Sequence, residues 1–245
     1  MCTVSWLPGA GGYTLYFNRD ERLTRASSLP PSVREADGVR FVAPLDGEFG
    51  GTWIAVNEFG VTVSLLNRYG DSAAPPPAHP VSRGRLVLAL APAADLAELE
   101  ARLSRVDLAA FQPFTLVAAA AHCAAWLAAW NGRAVSLARH SAPGPILTSS
   151  AFDEPAVAAS RRRVFAEALA AGLTADRLAA LHRSHLPARG PSSICMHRSD
   201  AETQSLSRIT VTRREVHFAH VPDAPCRGRE SVSLRLARRR SPHAA

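Results

Sequence analysis

Lysine is missing from this chain of 245 residues, so all 28 basic side chains are arginine. With alanine and proline abundant, the bias reads as the codon usage of a GC-rich genome, and the formal net charge of +7 as a solvated surface. The arginines are scattered apart from Arg161–Arg163 and Arg238–Arg240, with no aromatic-interleaved basic stripe. That pattern argues against a nucleic-acid partner. Long apolar runs are missing too. No stretch approaches the roughly 18 apolar residues of a membrane span, and the alanine-rich run Leu116–Trp130 is broken by His122 and closed by Asn131-Gly132. No basic and then apolar leader is expected, because Pro8, Gly9, Gly11 and Gly12 interrupt the first residues; the expected location is cytoplasmic. The four cysteines, Cys2, Cys123, Cys195 and Cys226, are far apart and form no CxxC. Neither a disulfide framework nor a metal finger follows from that spacing. Cys123 and Cys195 read as buried small hydrophobes. His182-x-x-His185, with no third ligand in view, reads as a solvated pair. No metal or cofactor is expected.

What is present is a 47% hydrophobic composition, enough for one large domain. The N-terminal half reads as β-structure. Cys2–Leu7 and Tyr13–Asn18 flank a proline and glycine turn, and Thr52–Asn57 and Val61–Asn67 flank Glu58-Phe59-Gly60; both patterns predict hairpins. Ala73–Pro80 is a surface loop and Arg85–Ala91 a short strand, followed by a helix over Asp95–Arg105 with Leu96, Leu99 and Leu103 at helical spacing. Phe114–Ala120, Cys123–Trp130 and Arg133–Arg139 are expected as consecutive antiparallel strands. Helices follow over Glu154–Ala171 and Thr174–His185, the second capped by Thr174. Ser193–His197, Ser207–Thr212 and Glu215–His220 read as strands. The order suits stacked sheets with helices outside, an α+β layered domain over residues 1–234, with 235–245 a frayed basic tail. Gly9-Ala10-Gly11-Gly12 joins two strands and opens no helix, which excludes a dinucleotide-binding turn.

Cys2 is the residue with the most chemistry to offer. Loss of Met1 would place its thiol beside its own α-amine, a nucleophile and a base that titrate near pH ~8.5 and ~7.7–8.0. A cation such as Arg19 lowers a thiol pKa, Asp20 can hold that cation or the α-ammonium, and an asparagine amide at a strand end suits a developing oxyanion. Asp20 and Glu21 can equally form salt bridges to Arg19 and Arg22 at a solvated turn. Trp53 and Phe59 read as core, and His197 and His217 as satisfied core or edge residues.

The stretch Asn18-Arg19-Asp20-Glu21, after a strand that pairs with a Met-Cys start, resembles the signature of the NRDE family, also called the transport and Golgi organisation 2 family. Gly50-Gly51-Thr52-Trp53 and Leu66-Asn67 are similar to that family's "GGTW" strand and to its strand ending in asparagine. Ile146–Ser150 with Phe152-Asp153, and Ser192-Ser193-Ile194, resemble its later segments. The Met-Cys-Thr start and Leu66-Asn67 are also similar to N-terminal nucleophile (Ntn) hydrolases of the bile-salt hydrolase and penicillin V acylase type. The resemblance implies an αββα sandwich of two stacked antiparallel sheets. It implies Cys2 as nucleophile, Arg19 and Asp20 as its orienting and polarising partners, and Asn67 as oxyanion donor. Asn18, Glu21, Arg68 and Ser149 are the candidate substrate-binding residues beside them. Ser149 stands where the related turns carry asparagine, and Gln204 where they carry arginine. The implied activity is that of a cysteine amidohydrolase or acyltransferase acting on a small amide or acyl substrate. The alternative is a non-catalytic carrier of haem or acylated lipid, although no Cys-Pro dipeptide or paired axial ligands are evident.

Overall fold

The computed structural model describes residues 2–70, 72–121, 125–140, 146–228 and 232–243. Two antiparallel sheets stack face to face. One has the order β10-β1-β2-β11-β12-β13, formed by β1 (Cys2–Gly9), β2 (Gly12–Arg22), β10 (Leu147–Ser149), β11 (Ala201–Val211), β12 (Glu215–Val221) and β13 (Val232–Ala237). The other runs sequentially through β3 (Leu29–Ala36), β4 (Val39–Leu45), β5 (Ile54–Asn57), β6 (Thr62–Asn67), β7 (Phe114–Ala119), β8 (Ala125–Trp130) and β9 (Val135–His140).

Strand alternation explains the layering. Cys2, Val4 and Trp6 of β1, with Tyr13, Leu15 and Phe17 of β2, point into the space between the sheets and meet Ile54, Val56, Leu66 and Val117. Full burial of each large apolar side chain contributes about 1.5–3 kcal/mol. Tyr16 and Leu206 face the opposite way and pack under α3 (Glu154–Ala170) and α4 (Ala175–Arg183). On the far side of the second sheet, Phe41, Val63 and Leu65 pack against α1 (Arg83–Leu90) and α2 (Leu96–Leu103). Four layers result, the expected αββα sandwich.

Thr174 caps its helix as the sequence indicates, and Asp95 proves to be the cap of α2. Thr174 accepts from the Arg177 N–H at 3.2 Å, and Asp95 accepts from the Glu98 N–H at 2.8 Å. His182, on the buried face of α4, has Nε2 2.6 Å from Ser5 Oγ and Nδ1 2.8 Å from Asn18 Oδ1. Burial, reinforced by Arg161, pushes it down to about 3, so the imidazole stays neutral. This Ser–His–Asn chain lacks any exposed member, and its role is to fasten α4 to the sheet.

Four expectations change. Arg85–Ala91 belongs to a helix, because Leu86, Val87 and Leu90 form one buried helical stripe over the second sheet. Ser193–His197 is no strand; its N–H groups go to Ser184 O, Thr203 Oγ1 and Gly190 O, and its one bridge is His197 with Glu202. The His182 and His185 side chains diverge, and His182 is fully buried. Beyond Arg235, where a frayed tail was expected, β13 continues to Ala237. Arg238 Nη1 then donates to Thr212 O at 2.7 Å and Arg239 Nη1 meets Glu58 Oε1 at 2.8 Å. Cys123 lies outside the described residues.

Candidate active site

A cavity of about 380 Å³ opens at the Cys2 end of the sandwich, where β1 and β2 face β5, β6 and the start of α1. Cys2, Arg19, Asp20, Glu21 and Asn67 all line it, so five of the eight expected site residues converge. Cys2 and Arg19 are direct partners in the β1–β2 ladder, and Ser149 is the partner of Cys2 on its other side. Ser205 of β11 faces Arg19 across the next ladder. One lateral row across four strands therefore reads Ser149, Cys2, Arg19, Ser205. The Ser149 and Ser205 hydroxyls are buried and have no hydrogen-bond partner among the described residues.

Arg19 is held rigidly. Its guanidinium stacks on Trp53 with 4.4 Å to the ring centroid, and Nη2 sits 2.8 Å from Asp46 Oδ2 and 3.5 Å from Glu21 Oε2. Asp46 also takes Arg25 at 2.6 Å and the Phe49 N–H at 2.9 Å. Burial opposes ionisation of Asp46, but the Phe49 N–H and the Arg25 and Arg19 guanidiniums outweigh it and hold the carboxyl below its ordinary range. His220, fully buried at 6.3 Å from Trp53, is pushed down to about 4 by burial and by Arg19. Burial pushes the Cys2 thiol up, while the Asp20 backbone N–H and Arg19 pull the other way.

Asp20 borders the cavity, but its carboxylate points to the opposite face of the sheet from Arg19. Its carboxylate accepts from Thr203 Oγ1 at 2.6 Å and lies 3.4 Å from Arg161 Nη2, both side chains fully buried. Arg161 also donates to Thr148 Oγ1 at 2.8 Å and to Thr3 Oγ1. A solvated turn is thereby ruled out for Asp20. Asn18 does not reach the cavity: its Nδ2 donates to His182 O at 2.9 Å and Ile194 O at 3.0 Å on the helix side. Arg68 does not line the cavity either. Ser149 stands beside Cys2 in the ladder, not in the cavity wall. Gln204 occupies a register shift between Thr203 and Ser205, and its amide meets Arg22 O at 3.4 Å, so Ser205 takes the inward position there.

Glycines shape the rim. A Cβ on Gly51 would stand 2.7 Å from the Gly84 carbonyl carbon, and one on Gly84 would stand 2.7 Å from the Thr52 nitrogen. The two backbones touch there, and the Thr52 N–H donates to Gly84 O at 3.1 Å. That contact brings Arg83 and Ser82 to the cavity mouth. Sequence reasoning missed Asp46, Gly84 and Arg161. Arg161 carried a signal, since it falls on the same helical stripe as Val157, Ala158, Val164 and Phe165.

The family model for Transport and Golgi organisation 2 matches residues 1–212. The chain belongs to this family. No curated protein matches it by sequence. Among solved structures, the fold of this family member is similar to that of the mutant C2A conjugated bile acid hydrolase from Clostridium perfringens. The TM-score is 0.62 at 9% identity, over 96% of this chain and 92% of that one. It is also similar to a Caenorhabditis elegans ortholog of N-acylethanolamine-hydrolyzing acid amidase, at TM-score 0.61 and 13% identity, covering 96% and 100%. Penicillin V acylase from Agrobacterium tumefaciens follows at 0.54 and 12%, covering 89% and 82%. The architecture is therefore that of the Ntn hydrolases.

Proposed function

We propose that the protein is a cysteine amidohydrolase or acyltransferase in which Cys2, made N-terminal by loss of Met1, attacks a small amide or acyl substrate. Met1 itself lies outside the described residues. The observation that carries this reading is the placement of Cys2 directly opposite Arg19 in the wall of a cavity that also takes in Asn67. The shared fold with hydrolases of conjugated bile acids and N-acylethanolamines supports it.

The chemistry follows from the residues. A thiol raised by burial needs a base within reach, and the α-amine of the same residue supplies one. The amine takes the thiol proton, and sulfur adds to the carbonyl carbon. The tetrahedral oxyanion is met by the Asn67 amide, whose Nδ2 also donates to Tyr69 Oη at 2.9 Å and is oriented by it. Collapse returns the proton to the leaving amine and leaves an acyl-thioester. Water or an acceptor amine then releases the acyl group. Phe49, Trp53, Leu65 and Val81 give the cavity an apolar wall for the acyl portion.

The test joins intact-mass measurement with an activated acyl ester. Protein lacking Met1 should show a burst that Cys2→Ala abolishes. Retention of Met1 on the folded protein, or binding of hemin or acyl-CoA that is independent of Cys2 and without turnover, would overturn the enzyme in favour of a carrier.

A further inference from the structure

Away from the cavity, four side chains from three segments converge. His185 lies just past α4, Cys195 and His197 lie in the connection leading to β11, and Cys226 lies in the 3₁₀ turn Pro225–Arg227. One nitrogen or sulfur from each falls within 4.8 Å of all the others. His197 Nε2 is 3.4 Å from Cys226 Sγ and 3.6 Å from Cys195 Sγ. The His185 ring meets the His197 ring edge-on with centroids 5.0 Å apart, and its buried Nε2 has no hydrogen-bond partner among the described residues.

These separations fit a metal. With metal–sulfur bonds of about 2.3 Å and metal–nitrogen bonds of about 2.05 Å, a tetrahedron sets sulfur and nitrogen about 3.6 Å apart. The surroundings also match. His197 Nδ1 faces Glu202 Oε2 at 3.3 Å, the carboxylate contact that fixes a ligating imidazole with Nε2 free for the ion. Glu202 is in turn gripped by Arg227 Nη1 and Nη2 at 3.0 and 2.7 Å. Arg189 Nη2 lies 3.4 Å from the same Nδ1.

We propose that His185, Cys195, His197 and Cys226 form a Cys₂His₂ site for Zn²⁺. Two thiol protons leave when the ion binds. Four protein ligands fill the tetrahedron, so the site is structural and holds no open position for substrate. Its mechanical effect reaches the cavity. The Ile194–His197 segment carries the Ile194 carbonyl that accepts from Asn18 and the Met196 N–H that donates to Thr203, whose hydroxyl holds Asp20. The ion clamps the outer face of the sheet behind the candidate nucleophile.

The full chain, purified without chelator, should carry one zinc per molecule by elemental analysis. Exchanged with Co²⁺, it should show thiolate-to-cobalt charge transfer in the near ultraviolet and the intense visible bands of a tetrahedral ion. Cys226→Ser alters an exposed side chain and leaves the core intact. It should weaken cobalt binding by tenfold or more and lose charge-transfer intensity, while Cys2→Ala keeps the full spectrum. Glu202→Gln should retain the bands but bind roughly 10–100-fold more weakly. Failure of the reduced, folded wild type to take up either metal overturns the assignment, as does a cobalt spectrum unchanged by Cys226→Ser.

Discussion

Cys2 and Arg19 occupy facing positions on neighbouring strands, and the Arg19 guanidinium is pinned between the Trp53 ring and the Asp46 carboxylate. A fixed cation therefore stands opposite a thiol whose pKa burial raises and which Arg19 draws back down in part. Arg19→Ala removes that cation and raises the thiol pKa further. A rise of one unit cuts the thiolate fraction at neutral pH about tenfold. Iodoacetamide labelling of Cys2, followed by mass spectrometry as a function of pH, should show the rate profile of Arg19→Ala displaced to higher pH. An unchanged profile would separate Arg19 from thiol activation.

The buried pair of Arg161 and Asp20 makes a second claim testable. Removing one partner of a buried ion pair leaves an uncompensated charge and costs about 3–5 kcal/mol. Arg161→Met should lose that much in urea unfolding, and adding Asp20→Asn should restore part of it. A coupling of about 1–3 kcal/mol is expected from the double-mutant cycle, with the double variant more stable than the sum of the singles. Additive losses would mean the contact at 3.4 Å carries no energy of its own.

Much of this arrangement was legible because it is written in alternation and turn chemistry. The β1–β2 and β5–β6 hairpins, the Asn131-Gly132 turn between β8 and β9, and both capped helices α2 and α4 follow local signals. Cys2, Arg19 and Asn67 converge because strand ends meet at one edge of the sandwich. What escaped was non-local or ambiguous. Leu86, Val87 and Leu90 form an apolar run too short for periodicity to distinguish strand from helix. Val232, Leu234 and Leu236 alternate with Ser233 and Arg235, a strand pattern obscured by the basic residues that follow. Asp46 sits in a connection far from Arg19 in sequence, and no spacing rule links the two. The metal-type cluster hides for the same reason, since its ligands come from three separate segments.

Asp46 also sets an acid limit. Its folded carboxyl titrates below the ordinary range, so the unfolded chain takes up the proton more readily. The stabilisation is present above the unfolded value, about 3.9, and disappears as pH falls through the lower folded value. Asp46→Asn should be less stable than wild type near neutrality, and the two should converge in acid. Urea melts across that range decide it; a constant gap between the two proteins would place the acid sensitivity elsewhere.

Gly84 gives the sharpest steric prediction. Its missing Cβ lets the start of α1 rest on the Thr52 backbone, and a methyl group there would lie 2.7 Å from the Thr52 nitrogen and 2.9 Å from its oxygen. Both obstacles are main-chain atoms, so no side-chain rotation relieves the contact. Gly84→Ala must push α1 outward or shift the Gly51-Thr52 strand entry, at a cost of about 1–3 kcal/mol. Gly38 offers the contrast of a glycine with open space around it, although its φ of +70° adds strain of its own. Gly190, with open space and no positive φ, is the cleaner control, and Gly190→Ala should be nearly neutral. Because Gly51, Thr52, Arg83 and Gly84 all line the cavity, Gly84→Ala should also slow labelling of Cys2, whereas Gly190→Ala should not. Thermal melting read alongside the labelling rate separates the two effects. Equal behaviour of the two variants would show that the backbone contact at the rim tolerates displacement without reshaping the site.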